Sequence, residues 1–317
     1  MKKKTFTFLM MILFICVFLI SALIAISLTG SAPQRLLRVR WDETVGQTYN
    51  DLPYENAHGH AYDLYIPAGL NPNEPQHLIF FIHGGSFNSG SKEDGAAWCR
   101  YYASKGYIAA TLDYTLQNQG VDADLHLMNS EVANCVSAIY EECLRQGYTI
   151  TGMATTGVSA GGTLAMNYAY SFSERSAIPV RFVFQLAGPT YFEPADWGLL
   201  MKVNGIRTEA EFVSVMTGHD ATDEMMLSGE YLSLIEPISP SMLVDTNSVP
   251  SLVGYGLRDH VIPAKQRSLL KEALEEHSVP HDYMEFPRSN HGMYADLDLL
   301  EEFLNISLEY CERYFVD

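Results

Sequence analysis

Beyond residue 40, short apolar runs alternate with longer segments in which apolar residues recur every three or four positions. A short apolar run bounded by turn residues predicts a strand, and the longer spacing predicts an amphipathic helix. The predicted strands cover residues 61–67, 77–84, 107–114, 150–157, 180–188, 250–256 and 281–287. The predicted helices cover residues 96–106, 122–147, 264–277 and 295–315, and one more helix begins directly after Ser159.

The order of these elements predicts the class of the fold. Strands that alternate with helices form a mostly parallel sheet with helices on both faces. The alternation stops in an irregular stretch at about 189–245 and resumes at residue 250. Since the sequence contains no internal repeat and no low-complexity linker, we expect one α/β domain over residues 35–317, with 189–245 as a cap-like insertion.

The N-terminal segment has a different pattern. Residues 2–4 are all lysine, and residues 6–28 contain no charged side chain. As a helix, this apolar run would be about 34 Å long, which is enough to cross the hydrocarbon core of a membrane. We therefore predict that residues 1–34 form a membrane anchor with one transmembrane helix. The alternative is a signal peptide that is cleaved near residue 30.

The charge of the chain bears on its partners and its location. The net charge is −18, and none of the 38 acidic residues precedes Asp42. A surface this acidic repels phosphate backbones, so we expect no nucleic-acid partner. A short basic N-terminus before a long apolar run is typical of an exported protein, although Arg35, Arg38 and Arg40 leave the charge bias across the run small. We expect the globular domain to lie outside the cytoplasm, either anchored to the membrane or secreted after cleavage.

A serine stands between glycines where a predicted strand becomes a helix, in the stretch ITGMATTGVSAGGTLAMNYAYSF at residues 150–172. In an open parallel sheet, ligand chemistry gathers at the carboxyl ends of the strands. A tight strand-to-helix turn would expose the hydroxyl of Ser159, and Gly157 and Gly161 would leave room for the neighbouring backbone. The amide of Ala160 would then face any carbonyl group that Ser159 attacks. Ser159 is therefore the candidate nucleophile.

Two later loops supply residues that could activate this serine. A serine hydroxyl is a poor nucleophile until a base takes its proton, and the base needs an orienting acid. Asp259 follows the predicted strand 250–256, and His291 follows the predicted strand 281–287. Either residue alone would be interpreted as a surface loop residue. Their order after Ser159 and their positions at strand ends together predict a Ser-Asp-His triad.

The loop after the predicted strand 77–84 has the sequence FIHGGSF. Catalysis of acyl transfer needs at least two hydrogen-bond donors for the oxygen that becomes negatively charged. Glycine amides can approach a ligand without interference from a side chain, so Gly84 and Gly85 are the candidates that would act with Ala160. We expect His83 to be a structural residue that holds this loop.

These motifs resemble the α/β-hydrolase superfamily, in particular its esterase branches with an HGG-type oxyanion loop. Those branches include hormone-sensitive-lipase-like carboxylesterases and bacterial polysaccharide-acyl esterases. The resemblance runs from about residue 60 to the end of the chain, through YDLYIP, HGGSF, LDYTL, GVSAGG, PISP, GLRDHVIP and NHGM in that order. It implies the α/β-hydrolase fold, no cofactor, the triad Ser159, Asp259 and His291, and oxyanion donors at Gly84, Gly85 and Ala160.

This chain departs from the pattern at two positions. Ser86 stands where many relatives have a third glycine, and Val158 stands where many lipase-like relatives have aspartate. The first departure affects the outer edge of the oxyanion hole. Valine at position 158 is as compatible with the polysaccharide-acyl esterases as with the lipase-like carboxylesterases.

The activity that the resemblance implies is hydrolysis of a carboxylic ester through an acyl-enzyme, with a small-molecule or carbohydrate-linked acyl ester as the substrate. A serine peptidase or amidase with the same triad is one alternative, and a non-catalytic binding module on the same fold is another. We expect the walls of the acyl pocket to come largely from residues 189–245. His58 and His60 have no third ligand nearby in the sequence, so we expect no metal site.

Overall fold

A computed structural model describes residues 35–117, 123–173, 175–203 and 205–316, together with the isolated positions 17 and 21. Its centre is one sheet of eight strands. In chain order they are β1 (Gly46–Pro53), β2 (Ala61–Pro67), β3 (Gln76–Ile82), β4 (Ile108–Leu112), β5 (Ile150–Val158), β6 (Val180–Leu186), β7 (Ser251–Gly256) and β8 (His281–Phe286).

The sheet has the order β1-β2-β4-β3-β5-β6-β7-β8. The pairs β1–β2 and β2–β4 are antiparallel, and every other neighbouring pair is parallel. Strands β4 and β7 are buried at every position, and β3 and β6 at all but one, so helices or loops cover both faces of the central sheet. This confirms the predicted α/β class with a mostly parallel sheet.

Five helices lie outside the segment between β6 and β7. They are α1 (Ala96–Ala103), α2 (Leu125–Arg145), α3 (Ala160–Ser171), α9 (Ala264–Glu276) and α10 (Leu297–Tyr314). Tyr102 of α1 and Phe303 of α10 both pack against Phe184 of β6, with ring centroids 5.5 and 6.4 Å from it. Helices α1 and α10 therefore lie side by side on the same face of the sheet.

The chain between β6 and β7 contains short helices. They are α4 (Gly198–Val203), α5 (Glu209–Thr217), α6 (Asp223–Ser228), α7 (Leu232–Ile235) and α8 (Pro240–Leu243). A row of stacked aromatic rings connects α5 to the chain before α4, since the Trp197 ring lies 5.7 Å from Phe192 and 6.3 Å from Phe212 of α5. Asn167 of α3 donates a hydrogen bond to the carbonyl of Ile238, which fixes this region over α3.

The predicted transmembrane run at 6–28 lies outside the described residues, apart from positions 17 and 21. Among the helices that the structure describes, none has the length and apolar character needed to cross a membrane. The division of the chain at residue 34 stays a prediction.

Candidate active site

Ser159 occupies a sharp turn between β5 and α3. Its backbone has φ 56° and ψ −127°, a strained conformation for a residue with a side chain. A Cβ atom at Gly161 would overlap the carbonyl oxygen of Ile82, and a Cβ atom at Gly157 would overlap the backbone of Gly161. Both glycines are therefore required for the close approach of β3, β5 and α3 that presents the serine.

The structure brings the three predicted triad residues together. His291 Nε2 lies 2.9 Å from Ser159 Oγ, and His291 Nδ1 lies 2.8 Å from Asp259 Oδ2. A neutral imidazole that carries its proton on Nδ1 donates to Asp259 and leaves Nε2 free to accept the serine proton. This arrangement can activate a hydroxyl nucleophile.

The carboxylate of Asp259 is held by backbone as well as by His291. Its side chain is only 1% exposed, and its second oxygen accepts hydrogen bonds from the amides of Val261 and Ile262, at 2.7 and 3.1 Å. Burial by itself raises the pKa of Asp259, but the hydrogen bond and charge of His291 and the two amides outweigh it and hold the pKa below the usual value. Asp259 therefore stays ionised at neutral pH.

The loops that carry Asp259 and His291 are fastened to each other. The amide of Arg258 donates to the carbonyl of Ser289 at 3.0 Å. The buried carboxylate of Asp296 accepts from the Ser289 hydroxyl at 2.7 Å and from the Arg288 amide at 2.9 Å. These contacts fix the loop on both sides of His291, whose side chain remains 26% exposed.

The loop predicted to form the oxyanion hole has an unusual backbone. Gly85, Ser86 and Phe87 have φ values of 114°, 54° and 63°, so three consecutive residues lie in the left-handed region. His83 supports this loop, because its Nδ1 lies 2.7 Å from the Gly84 carbonyl and its ring stacks on Tyr114 with centroids 4.2 Å apart. Burial lowers the pKa of His83, which favours a neutral ring that donates from Nδ1.

Gly84, Gly85 and Ser159 line one cavity, and Ala160 is the first residue of α3. The first amides of a helix have no partner within the helix, so the Ala160 amide is available to a ligand. Their use as oxyanion donors stays a prediction, and their positions beside Ser159 are compatible with it.

The cavity beside Ser159 has a volume of about 650 Å³. Its walls come from β3, α1, α10, the His291 loop and the segment before β1. None of the described residues of 189–245 lines this cavity, so the expectation that this region supplies the walls of the acyl pocket is not met here. The physical reason is that the short helices of this region pack on α3, whereas the cavity opens beside α1 and α10.

The sequence did not identify the residues of these walls. Trp98, Leu300 and Leu304 occur at helical spacing in predicted amphipathic helices, and the same spacing is typical of core residues. An apolar side chain that faces a cavity and one that faces the core have the same pattern in the sequence. Only the packing of α1 beside α10 distinguishes them.

His58, His60 and His260 are not among the residues that line the cavity. His60 Nε2 lies 3.1 Å from Thr115 Oγ1, and the His58 and His60 rings are 6.0 Å apart. In the part of the chain that the structure describes, no group of three or more His, Cys, Asp or Glu side chains could hold a metal ion. His260, next to Asp259 in the sequence, is exposed.

Comparisons with known proteins agree with this architecture. The family model described as BD-FAE matches residues 62–274, which is more than half of the chain. Kynurenine formamidase from Danio rerio is 31% identical over 122 residues, covering 38% of this chain and 39% of that protein. The chain spans less than half the length of the curated relatives that it matches.

Two solved structures are similar over most of the chain. A truncated carbohydrate esterase from gut microbiota has a TM-score of 0.69 at 16% identity, covering 88% of this chain and all of that one. Esterase B from Lactobacillus Rhamnosis has a TM-score of 0.64 at 19% identity, covering 94% of this chain and 99% of that one. At this level of identity the likeness establishes the fold, which is the α/β-hydrolase fold.

Proposed function

The chain belongs to the BD-FAE family, and from this premise we propose that it is a serine hydrolase that cleaves carboxylic esters. The observation that carries the proposal is the hydrogen-bonded series Asp259–His291–Ser159, of which Ser159 and His291 line a cavity. A non-catalytic binding module would have no use for this series. The strained backbone of Ser159 also favours a catalytic site, because such strain persists mainly where function requires it.

The proposed reaction proceeds through an acyl-enzyme. Ser159 Oγ attacks the carbonyl carbon of the ester while its proton passes to His291 Nε2, and the amides of Gly84, Gly85 and Ala160 stabilise the oxyanion. The bond from the carbonyl carbon to the alkoxy oxygen then breaks, and the His291 proton goes to the departing alcohol. A water molecule, deprotonated by the same nitrogen, releases the acid and restores Ser159.

The proposed substrate is a small-molecule or carbohydrate-linked acyl ester. Support for a carbohydrate alcohol comes from the carbohydrate esterase among the similar structures and from a partial match to endo-1,4-beta-xylanase B of Butyrivibrio fibrisolvens. The acidic surface of the chain favours neutral over anionic substrates.

Amide hydrolysis is the second candidate function, because one relative is a formamidase and the same triad can cleave amides. We expect the purified full-length protein to hydrolyse p-nitrophenyl esters and acetylated or feruloylated sugars faster than the matched aminoacyl and formyl amides. The measurement is kcat/KM for each ester–amide pair. A higher kcat/KM for the amides would replace the esterase proposal with an amidase.

We also propose that residues 1–34 anchor the protein in a membrane and that residues 35–317 lie on the extracytoplasmic side. Support comes from the uncharged run at 6–28 after three lysines. The full-length protein should therefore sediment with membranes and resist extraction by alkaline carbonate. A protease added to intact cells should reach the globular domain.

Two results would contradict this proposal in different ways. Release of a shorter form with a new N-terminus near residue 30 would mean that the segment is a cleaved signal peptide. Protection of the domain from the protease in intact cells, with full digestion after lysis, would place the domain in the cytoplasm.

A further inference from the structure

The cavity beside Ser159 extends between two neighbouring helices. Tyr102 Oη of α1 lies 2.7 Å from Ser307 Oγ of α10, so the helices touch at that level. Trp98 lies one turn before Tyr102, and Leu304 lies about one turn before Ser307. Both Trp98 and Leu304 line the cavity. The space therefore continues from the nucleophile into the gap between the first turn of α1 and the first two turns of α10.

Six large apolar side chains line the cavity, and its polar lining side chains include Ser86, Ser89, Asp94 and Tyr294. The apolar side chains are Leu37, Phe81, Trp98, Leu186, Leu300 and Leu304. The rings of Phe81 and Trp98 stack with centroids 5.4 Å apart, which makes one wall flat. An apolar chain packed against the six apolar side chains would leave water, whereas hydroxyl groups of a carbohydrate would gain no comparable benefit from that part of the cavity. The apolar part of the cavity therefore suits the acyl part of an ester better than the alcohol.

Leu37 differs from the other wall residues because it precedes the sheet in the chain. It is only 6% exposed, although its neighbours Arg35 and Arg38 are exposed. Among the described residues, the contiguous hydrophobic core does not include Leu37, whereas Leu36 packs against that core. The side chain of Leu37 is therefore buried at the cavity and not in the main core.

We propose that Leu37 is a wall of the acyl pocket and limits the length of acyl chain that the site accepts. This inference rests on the proposed function, in which Ser159 takes up an acyl group. A side chain that closes an apolar pocket typically changes discrimination between substrates about 10-fold or more for each methylene group that it admits or excludes. The segment that directly follows the predicted anchor would thus take part in the choice of substrate.

The test measures how fast alkyl fluorophosphonates with ethyl and octyl chains label Ser159 in the full-length protein. The quantity compared is the ratio of the octyl to the ethyl labelling rate. Leu37→Trp should lower this ratio about 10-fold or more, because the larger ring would fill part of the cavity. Leu37→Ala should raise the ratio, because it would enlarge the cavity. Leu36→Ala is the matched control and should lower the melting temperature without changing the ratio.

Equal ratios, within twofold, in the wild type, Leu37→Ala and Leu37→Trp would overturn the inference. If Leu37→Trp does not fold, Leu37→Ala alone tests the inference: a higher octyl-to-ethyl ratio than in the wild type supports it, and an equal or lower ratio overturns it. Failure of the proposed function gives a different result: Ser159 would be labelled with the expected chain-length dependence while no carboxylic ester is hydrolysed. Absence of labelling in the wild-type protein would overturn both.

Discussion

Replacement of Ser159 by alanine is expected to lower kcat for ester hydrolysis by about 10⁶-fold and to abolish labelling by a fluorophosphonate probe. The backbone of Ser159, at φ 56°, directs its side chain at His291, so no neighbouring hydroxyl can replace Oγ in this turn. Without Oγ, neither the acyl-enzyme nor the phosphonyl adduct can form. The measurements are initial rates on a short-chain ester and the intact mass of the protein after exposure to the probe.

The control for this experiment is Ser130→Ala. Ser130 lies exposed on α2 and its hydroxyl donates to the carbonyl of His126, so its removal should leave labelling and turnover unchanged. Labelling that persists in Ser159→Ala would place the nucleophile elsewhere. Ser86 would be the next residue to test, since it lines the same cavity.

Replacement of His291 by alanine is expected to lower kcat by about 10⁴–10⁶-fold, because the proton of Ser159 would have no acceptor. His260→Ala is the matched control. It removes the same ring one position after Asp259, but from an exposed side chain, and most of the activity should remain. Circular dichroism of both variants separates a loss of chemistry from a loss of folding.

The pH dependence of kcat/KM is a second test of the role of His291. Only a neutral imidazole can accept the serine proton, so kcat/KM should fall on the acid side of the profile. Asp259 does not cause this fall, because the partners described above hold its pKa below the usual value and it stays ionised there. An inactive His260→Ala variant with an active His291→Ala variant would contradict the assignment of the base.

The pattern of the sequence predicted most of the sheet because its central strands are buried on both faces. Such strands appear in the sequence as nearly continuous apolar runs. The bounds of β2, Ala61–Pro67, are those that the sequence predicted. Strand β1 was not predicted. It lies at the edge of the sheet, and most of its residues are at least partly exposed. Its register with β2 shifts between Tyr49 and Leu52. The strand therefore has no regular alternation of apolar and polar residues in the sequence.

The candidate triad could be predicted because each of its members follows a strand. In a parallel sheet the carboxyl ends of the strands meet at one edge, so the order of Ser159, Asp259 and His291 along the chain carries spatial information. The structure adds the contacts that no local pattern contains. The Arg258 amide bonds the Ser289 carbonyl, and Asp296 anchors the loop that carries His291.

The sequence by itself determined the class of the fold, the tight turn at Ser159 and the identity of the candidate triad. The alternation of elements indicates the fold class, the spacing of the glycines indicates the turn, and the order of the three residues along the chain indicates the triad. All three are properties of the sequence and need no knowledge of distant contacts. Only the tertiary structure decided which residues line the cavity beside Ser159. The cavity lies between α1 and α10 and takes a wall from Leu37, although residues 189–245 were expected to supply the walls. The reason is that apolar residues have the same pattern whether they face a core or a cavity, and only the packing of distant segments leaves a space between them.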